Sequence, residues 1–598
     1  MTPYSPRAVI SHSDVPAVSA STLPPQLRQI VERVLKRTRL WPSERADVES
    51  ELAAHFADGL ASGASIEKLV EDFGDPAAAA GLIRRAKIRS RSRAWHAQRM
   101  ARNVILGAIG LLAVSYGAIA LRYYAGTPTI TRDVRKEFNA PIASIPQSQR
   151  AWPIYKLALS AVVNPGREKA TDESGRGLPP LSPFESIEGA SANQRAIALL
   201  RRAAALPKLG LEIDDPEDYV FINRQLARLN ADKDWETKEI PAPPREGEPA
   251  ISIVLPHLVP LRSFSRLLMQ DVDLAVKAAD AQAVSDDLVA AMRLAVLTRE
   301  SPFLITDLVS LAMGELVLRK LQEVLTFTPA LVTDNALKQF SAALVDMGPR
   351  PQLVRFDAEL QSFDDILQRS FTDDRNGDGR MTPAGARLLT RASQFSGTNQ
   401  VVDVGTVAAL PIASTFGPSR KSLRQMYVSL VEQSKQWNAQ PPWSRSAPPD
   451  PDALKAQTLP LSPYSFISLL LPAFNNSIYA ADKFDTDRGA TLAIIALEQY
   501  RRKHGAFPAS LSELVPSFLS SLPLDLADGQ PLRYKLIGKS FVLYSLGADR
   551  NDNGGTLPPT ASAAVGISNF HFPIDAAKAN YDWVFFPFVQ LPKDEPKP

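Results

Sequence analysis

An uncharged apolar run at residues 104–121 constrains this chain more than any other feature of its sequence. Eighteen helical residues span about 27 Å, close to the roughly 30 Å hydrocarbon thickness of a bilayer. Tyr123 and Tyr124 follow the run, where an interfacial aromatic belt is expected. The alternative is a buried core helix of a soluble protein. We predict one transmembrane helix over residues 104–122.

Basic residues are concentrated on the N-terminal side of this run. After it, the next basic residues are Arg122 and Arg132. Because Lys and Arg are enriched on cytoplasmic flanks, the N-terminus is predicted to be cytoplasmic. A run that begins after about a hundred residues is an uncleaved signal anchor rather than a cleavable signal peptide. We therefore predict a bacterial inner-membrane protein with its C-terminal bulk periplasmic or extracytoplasmic. The basic residues before the run are Arg84, Arg85, Lys87, Arg89, Arg91, Arg93, Arg99 and Arg102.

Length and composition set broad limits. A chain of 598 residues is expected to divide into roughly three to five units. An apolar content of 45% and a charged content of 22% are ordinary for globular protein, so the chain can form real cores. The net charge of +3 argues against direct nucleic-acid binding by the whole chain. The absence of cysteine excludes disulfides, thiolate metal sites and a cysteine nucleophile, and it fits export without requiring it.

The N-terminal region divides into a leader and a helical head. Residues 1–22 are rich in Ser, Pro and Ala and are predicted to be a flexible leader. Apolar residues then recur at helical spacing in three stretches, of which the third covers residues 66–73. Gly74, Asp75 and Pro76 follow; glycine suits a left-handed cap, and proline suits the start of the next helix.

This head resembles the HAAS family, a small helical signalling module that often precedes membrane segments. The resemblance covers about residues 23–88 and implies a PadR-like transcription regulator as the cytoplasmic partner. The alternative is that the same residues only cap and pack three helices. The residues that carry the resemblance are Pro42, Ser43, Glu44, Arg45, Glu51, Leu52, His55, Gly63, Phe73, Gly74, Asp75 and Pro76.

The region after the membrane run is predicted to be mainly helical and extracytoplasmic. Residues 263–325 contain broad apolar faces at helical spacing, which predict two or three antiparallel helices. The stretch around residues 274–295 resembles a tetratricopeptide-type hairpin, in which a short Ala-Asp turn joins two amphipathic helices. Such a surface could bind a protein or simply support the domain, and the sequence does not choose between these roles.

Residues 374–385 have the pattern of an EF-hand-like calcium loop. Gly379 occupies position six, where a sharp turn is needed, and apolar helical patterns flank the loop. Position twelve is Gly385 instead of the usual bidentate glutamate, so weak calcium binding is expected, and a metal-free polar turn is the alternative. The candidate ligand positions are Asp374, Asn376, Asp378, Arg380 and Thr382.

The C-terminal part combines a helix with a predicted hairpin. An apolar helix face ends near Gly505, and alternating residues around Gly538 predict two strands. Residues 480–560 resemble the C-terminal domain of type II secretion major pseudopilins. The residues that carry this resemblance are Tyr500, Gly505, Phe507, Pro508, Leu511, Leu514, Pro523, Asp525, Gly529, Gln530, Pro531, Tyr534, Tyr544, Ser545, Leu546, Gly547, Ala548 and Asp549.

The pseudopilin resemblance implies a calcium ion bound by the loop that follows the hairpin. Leu546, Asp549, Asn551 and Asn553 are its candidate ligands. Pseudopilins, however, begin with a prepilin cleavage site directly before their hydrophobic helix. Because the similar domain lies far from the membrane run here, assembly into a pseudopilus is not expected.

The fold class predicted from these patterns is a mainly α multi-domain membrane protein with a small C-terminal α+β domain. No histidine pattern or nucleophile motif indicates an enzyme. The leading hypothesis is a non-enzymatic signalling or envelope protein. The alternatives are an accessory component of a secretion or pilus-like apparatus and an extracytoplasmic hydrolase. The predicted segments are the leader 1–22, a three-helix domain 23–88, a basic segment 89–103, the membrane helix 104–122, the helical region 123–460, the α+β domain 461–560 and an extension 561–598.

Overall fold

The fold is described from a computed structural model, in which helices predominate over a single small sheet. Two compact units divide the chain, residues 1–117 and residues 118–598. The residues described are 19–164, 184, 186–230, 236–237, 239–240, 249–250, 253, 255–374, 378–395, 404–446, 448, 467, 472–547, 550–557 and 581–589.

The first unit contains a small helical head. Its apolar core includes Leu27, Val31 and Phe56, all nearly inaccessible to solvent. A fourth helix completes the head, beginning at Pro76, where the sequence indicated only a helix start. The helices of the head are α1 (Pro25–Thr38), α2 (Pro42–Ala61), α3 (Ile66–Phe73) and α4 (Pro76–Ser90).

The connection between α3 and α4 confirms the cap prediction. Gly74 ends α3 with a positive φ of 72°, a conformation that costs glycine little. The carboxylate of Asp75 then accepts hydrogen bonds from the amides of Ala77 at 2.9 Å and Ala78 at 3.1 Å. These contacts satisfy amides that have no partner within the helix.

Helix α5 (Arg93–Ala125) contains the whole apolar run. It is the one helix of the described residues that is long and apolar enough to cross a membrane, and its apolar window is fully exposed. The basic segment from Arg93 onward belongs to the same continuous helix. The membrane helix predicted at residues 104–122 is therefore one part of a longer continuous helix.

The main apolar core of the second unit extends from Ala151 to Phe586, and a smaller separate cluster includes Val134, Phe138 and Phe303. The C-terminal segment shares the main core with the helical region. Its helices are α6 (Val134–Ala143), α7 (Trp152–Ala161), α8 (Ile187–Ala192), α9 (Gln194–Ala204), α10 (Pro216–Leu229), α11 (Leu258–Lys277), α12 (Ala281–Thr298), α13 (Leu304–Phe327), α14 (Asp334–Asp346), α15 (Asp357–Ser370), α16 (Pro383–Phe395), α17 (Val404–Phe416), α18 (Arg420–Ala439) and α19 (Pro472–His504).

Helices α11 and α12 form the predicted antiparallel hairpin. Ala279 in the turn has a positive φ of 55°, and Asp280 caps α12 by accepting the amides of Gln282 at 3.1 Å and Ala283 at 3.0 Å. These two helices and the capped turn between them confirm the predicted hairpin.

The sheet of the described residues has the order β1 (Arg533–Ile537), β2 (Ser540–Ser545), β3 (Trp583–Phe586), and both pairings are antiparallel. The β1–β2 hairpin turns at Gly538, whose φ is 59°, as predicted. Strand β3 comes from the segment predicted as a C-terminal extension, and sequence reasoning did not identify it.

Candidate functional site

The EF-hand-like segment folds as a helix, a loop and a helix. Helix α15 precedes the loop and α16 follows it, with an antiparallel bridge between Phe371 and Met381. Gly379 is required here, because a Cβ atom at this position would lie 1.7 Å from the carbonyl oxygen of Thr372. The sharp turn predicted at position six is therefore present.

The predicted ligands of this loop have different surroundings. The Asp374 carboxylate accepts the amide of Asp378 at 2.9 Å. The Arg380 guanidinium donates to the carbonyl of Gly417 at 2.9 Å. The backbone carbonyl of Arg380, the group that an EF-hand uses at this position, accepts the amide of Thr372 at 3.0 Å. Asn376 lies outside the described residues.

Thr382 serves as a cap of α16. Its buried hydroxyl donates to the carbonyl of Ser370 at 2.9 Å and accepts the amide of Gly385 at 3.3 Å. At Gly385, a Cβ atom would lie 2.6 Å from the same carbonyl, so the glutamate of a typical EF-hand would require a backbone shift. Calcium binding at this loop stays a prediction, with Asp374 and Asp378 as its carboxylates.

The C-terminal loop is anchored by a carboxylate of the same domain. Asp525 is fully buried and accepts the hydroxyl of Ser545 at 2.6 Å and the amide of Leu546 at 2.9 Å. Leu546 is one of the predicted calcium ligands, and this hydrogen bond fixes its amide at the end of β2. Asp549 lies outside the described residues.

Asp582, at the start of β3, organises the rest of this loop. Its carboxylate accepts the amides of Asn553 at 3.3 Å, Gly555 at 2.6 Å and Thr556 at 3.3 Å. Burial raises the pKa of Asp582. Sequence reasoning missed this residue, although its position directly before the apolar run at β3 was an available signal. Asn551 and Asn553 lie in the same short loop; no group of three or more His, Cys, Asp or Glu residues positioned for a metal occurs in the described part of the chain.

A cleft opens beside helix α6, a few residues after the end of α5. It has a volume of about 620 Å³ and its lining includes Arg132, Lys136, Asn139 and Asp214. This volume lies within the range of small-molecule sites. The charged groups of its lining are engaged in ion pairs, Arg132 with Glu137, Lys136 with Asp133 and Asp214 with Arg135.

A buried acidic pair lies between α9, α11 and α12. The guanidinium of Arg201 contacts both oxygens of Asp287, at 2.6 and 2.9 Å, and one oxygen of Asp271 at 2.8 Å. One cation thus faces two buried carboxylates. Burial raises the pKa of Asp287 to about 8, which favours a shared proton in this cluster.

Two tryptophans and an arginine connect the head to the start of α5. The guanidinium carbon of Arg91 lies 4.0 Å from the ring centroid of Trp41 and 4.5 Å from that of Trp95. Glu44 accepts from the same guanidinium at 2.7 and 2.6 Å, and this bonding lowers the pKa of Glu44. We name these four residues the tryptophan clasp. From the sequence, Glu44 was named as part of the HAAS resemblance and Arg91 as part of the basic flank, and no contact among the four residues was predicted.

Comparison with known proteins gives one family match. The model of the HAAS family matches residues 30–80, from the middle of α1 to the first turns of α4. No curated protein matches the chain, and no solved structure does. The head is therefore similar to the HAAS family, as its sequence predicted.

Proposed function

We propose that this chain is a single-pass, membrane-anchored and non-enzymatic signalling protein of the bacterial envelope. Its head would bind a PadR-like transcription regulator in the cytoplasm, and its second unit would bind a ligand or protein outside. The observation that carries this proposal is the HAAS match at residues 30–80, followed within the same unit by a helix suited to cross a membrane.

The arrangement of the first unit supports a head placed close to the membrane. Only Arg91 and Ser92 separate α4 from α5, and the tryptophan clasp bridges this junction. A short, bridged junction limits the positions that the head can take relative to α5. A regulator bound to the head would therefore be held near the cytoplasmic surface.

The distribution of charge supports the orientation. Six exposed arginines precede the apolar run within α4 and α5, whereas Arg122 alone follows it inside α5. This asymmetry supports a cytoplasmic head by the positive-inside rule. The cleft beside α6, with its polar lining, would then lie outside, where it could take a polar ligand.

Regulator binding can be tested with the full chain in detergent. We would measure retention of the PadR-like regulator encoded nearest to its gene. Val70→Asp on α3, where the side chain is 37% exposed, should reduce retention because a charge would replace an exposed apolar side chain of the head. The matched control is Val345→Asp, an exposed valine of the second unit. A wild-type chain that retains no regulator, or equal losses for both variants, would argue against the proposal.

A second candidate function is an accessory role in a secretion or pilus-like apparatus, with calcium bound by the C-terminal domain. It is supported by the order of a long helix, α19, followed by an antiparallel hairpin, which is the order that the pseudopilin resemblance implies. Deletion of the gene should then reduce secretion of type II substrates. The hydrolase alternative is tested by activity-based probes applied to the outer unit.

A further inference from the structure

The arginines of α4 and of the start of α5 form an exposed charged surface outside residues 30–80, which match the HAAS family. We propose that they bind anionic phospholipid headgroups, so that the head docks on the leaflet from which α5 enters the membrane. This inference rests on the membrane-spanning part of the proposed function and is independent of any regulator. The residues of this arginine surface are Arg84, Arg85, Arg89, Arg93, Arg99 and Arg102.

The charge of this surface is not neutralised by acids in the part of the chain that the structure describes. No Asp or Glu occurs at residues 76–132. The nearby acids of α2 are already engaged, since Glu44 pairs with Arg91 and Glu51 pairs with Lys87. Each member of the arginine surface is exposed, and no ion pair with an acid of the described residues reaches any of them. Six exposed cations without an acidic partner among the described residues favour an anionic partner.

The continuous helix α5 places part of this surface at headgroup level. At 1.5 Å per residue, Arg102 stands about 3 Å and Arg99 about 8 Å before the first residue of the apolar run. The headgroup layer is about 5–8 Å thick, and the negative surface potential extends about a Debye length, roughly 8 Å, beyond it. Arg93, about 16 Å from the run, lies at the outer limit of this range.

The tryptophan clasp explains how the arginines of α4 can act together with those of α5. Arg91 directly follows α4, and its stacking on Trp95 fixes the end of α4 against the first turn of α5. The guanidinium of Arg99 also lies over Trp95, at 5.3 Å. Because Glu44 neutralises Arg91, the tryptophan clasp positions α4 relative to α5 and does not itself bind lipid. The lipid contacts are made by the other arginines.

Trp41 gives the surface an amphipathic component. Its side chain is 51% exposed although one face stacks on Arg91. Tryptophan is enriched at membrane interfaces because its ring is apolar and its indole N–H remains a donor. Cations beside an exposed tryptophan match a phospholipid surface, which offers phosphate and interfacial apolar groups together.

The test uses the full chain in nanodiscs of phosphatidylcholine, with or without phosphatidylglycerol. Because the chain has no cysteine, Ala86→Cys, at an exposed position of α4, provides a unique site for a spin label. Its depth is then measured by power saturation. Phosphatidylglycerol should bring the label to the headgroup level. A charge near an anionic surface is worth about fivefold in binding, so Arg84→Gln, Arg85→Gln and Arg89→Gln together should weaken docking about a hundredfold.

The matched control removes three positive charges from α1, with Arg33→Gln, Lys36→Gln and Arg37→Gln, all at exposed positions. It should leave the phosphatidylglycerol effect intact. Equal loss in both triple variants, no effect of phosphatidylglycerol on the wild type, or docking induced only by duplex DNA would overturn the inference. A second label at Leu112, in the apolar run, reports insertion of α5. An uninserted α5 would contradict the proposed function, whereas an inserted α5 with an undocked head would contradict this inference alone.

Discussion

The two units of the molecule stabilise their cores by different means. In the head, the core is apolar, and Thr38 is the one buried polar residue among the described residues 19–117. In the second unit, carboxylates are buried together with arginines. Asp307 lies between Arg299 and Arg355, and Asp482 lies between two further arginines. The head should therefore respond mainly to changes in volume, and the second unit to changes in charge.

This difference has a physical cause. The head is small and has little interior in which to place a charge, so its ion pairs, such as Lys87 with Glu51, remain at the surface. Surface pairs contribute about 0–1 kcal/mol. In the second unit, the cost of removing a charge from water is offset only while every partner stays in place. Each prediction below tests one side of this contrast.

The largest effect is expected from Asp307→Ala in the second unit. Asp307 is fully buried and accepts from Arg355 at 2.6 Å and from Arg299 at 3.2 Å. Removal of the carboxylate leaves two guanidinium groups without their buried counterion, which should cost about 4 kcal/mol. Hydrogen exchange of the full chain measures the loss in each unit separately. Asp357→Ala, which breaks an exposed pair with Lys435, is the control and should change stability by less than about 1 kcal/mol.

A core truncation should affect the head alone. Leu27 is fully buried at the centre of the head, and Leu27→Ala should lower the free energy of unfolding of the head by about 3 kcal/mol. Leu82→Ala, at a side chain that is 63% exposed, should have almost no effect. Loss of protection in peptides of the second unit would show that the two units do not unfold independently.

The second unit should lose stability as the pH rises. Burial raises the pKa of Glu359 to about 7 from 4.5, and its Oε2 atom is buried without a hydrogen-bond partner in the structure. Between these two pKa values the folded state keeps a proton that the unfolded state has lost, so stability falls from about pH 4.5 to about pH 7. This side chain should contribute about 3 kcal/mol to the fall. Denaturant unfolding at several pH values should show a shallower slope in Glu359→Gln.

Calcium should produce the smallest effect and should be confined to the second unit. At free calcium about five times Kd, binding would stabilise that unit by about 1 kcal/mol. The double variant Asp374→Ala and Asp378→Ala tests the first loop, and Asp549→Ala tests the second. Asp346→Ala removes an exposed carboxylate away from both loops. Identical melting curves in calcium and in chelator would remove the metal prediction.

Local features of the fold could be predicted from the sequence. The cap at Gly74 and Asp75, the turn at Gly538 and the helices around Gly379 each depend on a few adjacent residues. Backbone sterics and short-range hydrogen bonds determine such features, and both can be deduced from residue types. The HAAS-like head was predictable for the same reason.

Contacts between distant segments could not be predicted. Arg350 and Asp482 are 132 residues apart, and β3 pairs with β2 across a long intervening segment. A single sequence contains many Arg and Asp residues, and nothing in their spacing indicates which of them meet. Asp582 was missed because its role depends on this non-local strand pairing. The candidate calcium ligands could be named from the sequence. The role of Thr382 as a helix cap could not be predicted, because it depends on a hydrogen bond to a backbone carbonyl outside its own helix.

The continuity of α5 determines the space available to whatever the head binds. A flexible linker would let the head sample many distances from the membrane, whereas a helix acts as a spacer of fixed length. The eleven residues from Arg93 to the apolar run set that length at about 16 Å. If α5 crosses a membrane with the head in the cytoplasm, as proposed, a captured protein would diffuse in a thin layer parallel to the bilayer. Capture by the head would then remove a protein from the bulk cytoplasm without any change in its structure.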